Sequence, residues 1–187
     1  MGNVVRELIV KMLKAEMPLT PIEFVKGEYE LKGTLSLPTR TLNIFQIIDR
    51  IDRIASPDGS GMTLRFVDYK TGSDATRAGD VGTWFSSGTL PAALVQLMFY
   101  CCAYAEKTGY SGPIMPQVYN LLEIAADGIK PCVVDKQPLT DYRPHREVFL
   151  QALSDALDPL FDENVPFSQT PNPQDCKYCE FRNICRR

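Results

Sequence analysis

Asp49, Asp68 and Lys70 are the residues of this chain whose types and spacing could do chemistry. They lie in two apolar, strand-like stretches, Ile47-Ile48-Asp49-Arg50-Ile51-Asp52 and Val67-Asp68-Tyr69-Lys70-Thr71-Gly72. Between them runs Ser56-Pro57-Asp58-Gly59-Ser60-Gly61, a string of turn formers. The three segments read as a β-hairpin. A turn centred on Asp58-Gly59 makes paired positions add to 117, which sets Asp49 opposite Asp68. Directly opposed residues share a face, with Cβ atoms roughly 4.5–5.5 Å apart. Period-2 alternation brings Lys70 to that face as well. Two carboxylates and one ammonium then converge on one patch. The repulsion between the carboxylates needs an offset, and a divalent cation is the simplest one.

Mg²⁺ and Mn²⁺ favour oxygen ligands, often one or two carboxylates completed by water and substrate phosphate. A bound cation lowers the pKa of its water and neutralises charge on a phosphoryl group. A lysine beside it can orient the attacking water or stabilise the oxyanion. Asp…Asp-x-Lys is therefore a sensible phosphodiesterase core. Asp52 reads differently. The same register sets it opposite Arg65 on the other face, as an ordinary cross-strand ion pair.

The elements that must position these groups follow from periodicity. Residues 4–15 read as an amphipathic helix with Val5, Leu8, Ile9, Met12 and Leu13 on one face, ended by Pro18 and Pro21. Residues 28–37 alternate as a strand, and Pro38-Thr39-Arg40 turns the chain into the first acidic strand, 42–54. Residues 62–69 return antiparallel. The stretch 71–90 is rich in Gly, Ser, Thr and Asp and reads as a long, mobile cover over the site. Trp84-Phe85 in its middle could stack on a base, but a hydrophobic anchor for the loop is the better expectation. Residues 92–107 form a helix closed by Gly109, with Gln96 and Tyr100 one turn apart on a shared face. Two further strands are expected at 114–124 and 129–134, joined through Asp127-Gly128. Pro116 places the first of them late or at an edge. A last helix spans 146–160, and an irregular stretch leads into the tail. His145, the only histidine, reads as a solvated residue at that helix start.

The chain has 187 residues, enough for one domain with a real core, and its 44% hydrophobic and 23% charged content is that of a globular protein. A net charge of −3 speaks against nonspecific coating of nucleic acid, so DNA contact would need a local positive patch or a partner. No apolar run is long enough to span a bilayer, and the start reads as amphipathic rather than as a signal peptide, so a cytoplasmic protein without a membrane partner is expected. ATP binding is not expected, because no Gly-x4-Gly-Lys-Ser/Thr loop occurs. Cys101, Cys102 and Cys132 fall in apolar segments as small hydrophobes. Cys176, Cys179 and Cys185 form Cys-x2-Cys-x5-Cys, which suits Zn²⁺ or an iron–sulfur cluster, each normally needing a fourth ligand.

Four segments in this order resemble the PD-(D/E)xK nuclease superfamily in its RecB/AddB branch. They are Ile48-Asp49-Arg50-Ile51-Asp52, Val67-Asp68-Tyr69-Lys70-Thr71-Gly72, Gln96-x3-Tyr100, and Cys176-x2-Cys179-x-Phe181-x3-Cys185. The resemblance runs from about Glu23 to Cys185. It implies an α/β, restriction-endonuclease-like fold, a mixed central sheet flanked by helices, with residues 1–170 as nuclease core and 171–187 as cysteine-rich tail. It implies a Mg²⁺- or Mn²⁺-dependent DNA exonuclease tied to a helicase in double-strand break repair and recombination. A CRISPR-adaptation nuclease has a similar domain. By the resemblance, Asp49, Asp68 and the Tyr69 carbonyl would hold the metal and Lys70 would be the catalytic lysine. Gln96 and Tyr100 would support the site and contact DNA, and Glu23 falls where many relatives carry an acid. The three tail cysteines would bind a [4Fe–4S] cluster. In such relatives a fourth cysteine and a further active-site histidine or glutamate lie N-terminal of the acidic strands. The chain therefore reads as a C-terminal piece or one domain of a larger protein. The rival expectations are a noncatalytic DNA-binding or scaffold module, and a zinc-binding module built on the tail.

Overall fold

The computed structural model describes residues 2–186 apart from 73, 87, 89 and 167, with side chains from residue 5 onward. In chain order the elements are α1 (Gly2–Glu16), β1 (Glu23–Ser36), β2 (Thr41–Ala55), β3 (Met62–Lys70), β4 (Arg77–Ala78), α2 (Ala92–Thr108), β5 (Ile114–Asn120), α3 (Leu121–Asp127), β6 (Val133–Val134), β7 (Gln137–Pro138) and α4 (Arg146–Phe161). The main sheet has the order β1-β2-β3-β5. Its first three strands are antiparallel, and β5 runs parallel to β3. The parallel pair needs a crossover, and α2 supplies it. α2 buries Leu94, Leu97, Met98 and Cys101 against Leu31, Ile51, Phe66 and Ile114 of the sheet. α4 closes the same core through Phe149, Leu150 and Leu153. This is the restriction-endonuclease-like mixed sheet flanked by helices that the motifs implied.

The central hairpin forms in the expected register. Arg50 pairs with Val67, Ile51 with Phe66 and Asp52 with Arg65. The turn sets it. Gly59, at φ +74°, takes a conformation that costs a side chain dearly, and its N–H donates to the Ser56 carbonyl at 3.0 Å. Asp58 accepts from Ser56 Oγ at 2.6 Å and from the Ser60 N–H at 2.9 Å, bonds that hold its carboxyl down at about 2. At the other hairpin the Leu37 N–H donates to Arg40 across the Pro38-Thr39 corner, and Thr39 and Arg40 both donate to Asp158 on α4 at 2.7 Å.

Asp52 and Arg65 are not the ordinary surface pair expected. They are 0% and 1% exposed. Arg65 grips Asp52 with two parallel bonds of 2.9 and 2.8 Å, and Arg50 Nε donates to the same carboxylate at 2.7 Å. Glu16, at the end of α1, takes Arg50 Nη2 at 2.8 Å and the Tyr119 hydroxyl at 2.9 Å. Tyr119 in turn accepts from Arg65 at 3.0 Å. Two cations and two anions thus neutralise one another under the sheet, tying α1 to β2, β3 and β5.

Other expectations need correction. The strand expected at 114–124 stops at Asn120, and Leu121-Leu122-Glu123-Ile124-Ala125-Ala126, all good helix formers but one, continue as α3. Gly128, at φ +78°, ends that helix rather than turning a hairpin. Of the strand expected at 129–134 only Val133–Val134 remains, between β4 and β7 in a separate small sheet. The stretch 71–90 is no free cover. It contains β4, and Trp84 is buried with its ring edge-on to Phe149 and its Nε1 donating to Gly79 at 2.9 Å. The anchor reading of Trp84 holds; residues 73, 87 and 89 of this stretch lie outside the described residues. The apolar stripe of α1 is split. Met12 packs beside Val67 and Tyr119, whereas Val5, Ile9 and Leu13 are exposed.

Breaking the buried network by Asp52→Ala leaves two arginines without their shared anion. It is expected to cost about 3–5 kcal/mol. Glu23→Gln, which breaks the exposed Arg53–Glu23 pair, is expected to cost under about 1 kcal/mol. Urea unfolding of both variants measures the contrast.

Candidate active site

The β2–β3 ladder stops at Arg50–Val67, one residue short of the acidic pair. Continued register would join the Tyr69 N–H to Ile48. Instead Tyr69 donates to Asp49 Oδ2 at 2.9 Å. The Asp49 carboxylate therefore replaces a rung of the sheet. On the other side of β2 the ladder also skips Asp49. Gly27–Arg50 and Tyr29–Ile48 pair, but Glu28 between them sits at φ +46°, a strained value for a residue with a side chain. Ile48 and Ile51, three positions apart, both reach the core, so β2 changes its inward face around Asp49. Such local irregularity re-aims a side chain. In an extended strand a residue's N–H and C=O leave on the same side, so the Tyr69 carbonyl also faces β2.

Lys70 stands beside the acids. Its Nζ lies 2.9 Å from Asp68 Oδ2 and donates to Gln96 Oε1 at 2.9 Å. Gln96 donates onward to the Tyr100 hydroxyl. Gln96 and Tyr100 thus turn toward the site rather than to solvent, and Tyr100 is almost wholly buried. Asp68 is only 2% exposed, and the Lys70 ammonium is the close partner of its Oδ2. Asp49, Asp68, Lys70, Gln96 and Tyr100 are brought together. Glu23 is not. It lies at the start of β1, exposed and paired with Arg53 at 2.8 Å.

A further acid comes to this group that the motif reading missed. Asp74 has its backbone carbonyl held at 3.0 Å by the buried Asn120 at the end of β5, and its charge acts on both Asp68 and Lys70. Burial raises the pKa of Asp68 despite the Lys70 ammonium, and Asp49 and Asp74 push it further the same way. Burial works against the charge of Lys70, but Asp68 and Asp74 outweigh it and its pKa rises. Tyr100 is likewise raised, by burial and by the Asp68 and Asp49 carboxylates. The site is short of positive charge. A buried carboxylate oxygen whose close partner is Lys70, a second half-buried carboxylate and a carbonyl facing β2 fit a small hard cation. Among the described residues no three His, Cys, Asp or Glu side chains form a ready metal cage, so water and phosphate would complete the shell.

The tail cysteines stand apart. Cys176, Cys179 and Cys185 are half-exposed and lie on successive turns after α4. Cys101, Cys102 and Cys132 are buried, and burial pushes their thiols well up, to about 12 for Cys102 and about 11 for Cys132. They are poor sources of a fourth thiolate.

Between the ordinary carboxylate value of 3.8 and its raised value, folded Asp68 keeps a proton that the unfolded chain has lost. This group therefore lowers stability as pH rises through that window. Asp68→Asn removes the penalty. Without divalent cations, its melting temperature relative to the parent is expected to climb from pH 3.8 upward. A saturating cation should reverse the order. Thermal melts across pH in chelator test this, and a pH-independent difference would contradict it.

No curated protein matches the chain. A family model described as the PD-(D/E)XK nuclease superfamily matches residues 4–186, and superfamily members are nucleases that typically use divalent metals. The match spans both acidic strands, the Gln96 helix and the tail, and the chain belongs to the PD-(D/E)XK nuclease superfamily.

Proposed function

We propose that this nuclease is a Mg²⁺- or Mn²⁺-dependent DNA exonuclease of the RecB/AddB branch, working with a helicase in double-strand break repair and recombination. The observation that carries the catalytic reading is the open rung at Asp49 and Asp68 with Lys70 held against it. Asp49, Asp68 and the Tyr69 carbonyl hold the cation. A bound cation would supply an acidified water and neutralise charge at the phosphoryl group. Lys70 has a raised pKa and stays an ammonium. Its ammonium donates to the attacking water or the developing oxyanion. Gln96 fixes the Lys70 ammonium, and Tyr100 fixes Gln96. The helicase and the repair setting rest on the motif resemblance alone. Among the described residues no helix is long and apolar enough to cross a membrane.

Residues 1–170 serve as the nuclease core and 171–187 as a tail whose three cysteines hold a [4Fe–4S] cluster. The buried thiols of Cys101, Cys102 and Cys132 point to a fourth ligand from another source.

Lys70→Ala is expected to lower cleavage of a duplex or single-stranded DNA by at least about 10²-fold while leaving the cation-induced rise in melting temperature intact. Asp68→Ala should lose that rise. If Lys70→Ala cuts DNA at the parent rate, Lys70 is not the catalytic lysine; a parent protein that binds DNA with the cation present and does not cut it would be a DNA-binding scaffold at this site. The protein expressed from its complete reading frame and purified without oxygen should be brown, with about four irons per cluster. Its Cys176→Ala variant should lose both colour and stability, since cluster binding is folding energy. A zinc-bound, colourless and stable product would instead support an interaction module.

A further inference from the structure

The geometry points to Arg50 and Tyr69 as positioning residues that hold the site from behind. This inference rests on the cation-dependent nuclease reading. Arg50 follows Asp49, and Tyr69 lies between Asp68 and Lys70, so their side chains leave the strands on the face away from the acids. Arg50 Nη1 donates to the Tyr69 hydroxyl at 3.0 Å. The ladder between the two strands has just ended at Arg50–Val67. Beyond that point two side-chain bonds join β2 to β3. One is the Tyr69 N–H to Asp49 in front, and the other is Arg50 to the Tyr69 hydroxyl behind.

The rear bond is stiff because Arg50 is not free to move. Its other guanidinium nitrogens are held by Asp52 and Glu16, and Asp52 is itself gripped by Arg65. The Tyr69 ring is braced edge-on by Tyr119 at 5.7 Å between centroids. Holding the tip of Tyr69 fixes the backbone on which Asp68 and Lys70 ride. It also fixes the N–H that aims Asp49 and the carbonyl that faces β2. Arg50 and Tyr69 thereby set the spacing of the cation ligands without touching the cation. Mg²⁺ tolerates misplaced ligands poorly, whereas larger cations adapt. A spacing device should therefore show itself as a Mg²⁺-specific effect.

Tyr119 provides the internal control. Its hydroxyl belongs to the same network but bonds Arg65 and Glu16, and no bond links it to a residue of the open rung. Tyr69→Phe and Tyr119→Phe each remove one hydroxyl and leave the rings. Both should remain folded with a modest loss of melting temperature. Tyr69→Phe alone should raise the Mg²⁺ midpoint, read from the cation-induced melting shift, about tenfold. It should lower kcat with Mg²⁺ and recover most of it with Mn²⁺. It should also speed hydrogen exchange of the residue 69 amide, a readout that needs no cation. Arg50→Lys should not rescue the behaviour, because an ammonium cannot reach Asp52, Glu16 and Tyr69 at once. An unchanged Mg²⁺ midpoint and amide exchange in Tyr69→Phe would overturn the inference, as would equal changes in Tyr119→Phe. A parent protein that shows no cation response would instead defeat the nuclease reading itself.

Discussion

Everything at this site depends on the register of β2 against β3. Side chains alternate across a strand, so a slip of one residue would turn Asp68 and Lys70 away from Asp49 and bring Asp52 out of reach of Arg65. Two features resist that slip. The Ser56–Gly61 turn sets the pairing from its closed end, where the Ser56 N–H meets the Gly61 carbonyl at 2.7 Å. The bidentate Asp52–Arg65 bond sets it again near the middle, since two parallel bonds are satisfied in one alignment only. The register is therefore specified by geometry at two points before the acidic rung is reached.

The two faces of this hairpin treat charge in opposite ways. Behind the sheet, each buried ion has its counter-ion, and the tyrosine hydroxyls close the remaining valences. In front, among the described residues, Asp49, Asp68 and Asp74 gather around the Lys70 ammonium, the close partner of the buried Asp68 Oδ2. The same strands supply both arrangements, so the satisfied face offers the rigidity that the unsatisfied face needs. Strain concentrates where function is proposed. Glu28 is left at a positive φ and the ladder opens on both sides of Asp49.

The hairpin and the shared face of Gln96 and Tyr100 are legible because each rests on local rules, whereas the mixed sheet came from the family resemblance. Asp58-Gly59 fixes the turn, and simple alternation then carries Asp49, Asp68 and Lys70 to one face. Long-range partners were not legible. Glu16 and Tyr119 are 103 positions apart, and no periodicity in either segment announces their bond. Asp74 sits in a Gly- and Ser-rich stretch where composition suggests only a loop, and its approach depends on Asn120 at the end of a distant strand. α3 was misread because an apolar run of strand length gives no period to separate strand from helix, while Asp127-Gly128 serves a helix end as readily as a hairpin.

The charge balance also orders events at the proposed site. A phosphodiester arriving alone would meet Asp49, Asp68 and Asp74 with only Lys70 to attract it, and Lys70 is already engaged by Asp68 and Gln96. Repulsion would dominate at such short range, where burial weakens solvent screening. A divalent cation held by Asp49 and Asp68 would bring the same face close to neutral and compete with Lys70 for Asp68. The Lys70 ammonium can then turn from the carboxylate to the phosphate or the attacking water, guided by the bond that Gln96 keeps. Lys70 would thus exchange Asp68 for the substrate once a cation is bound. That exchange requires the acids to stay at a fixed spacing while their counter-ion changes, which is the property the buried ions behind the sheet provide.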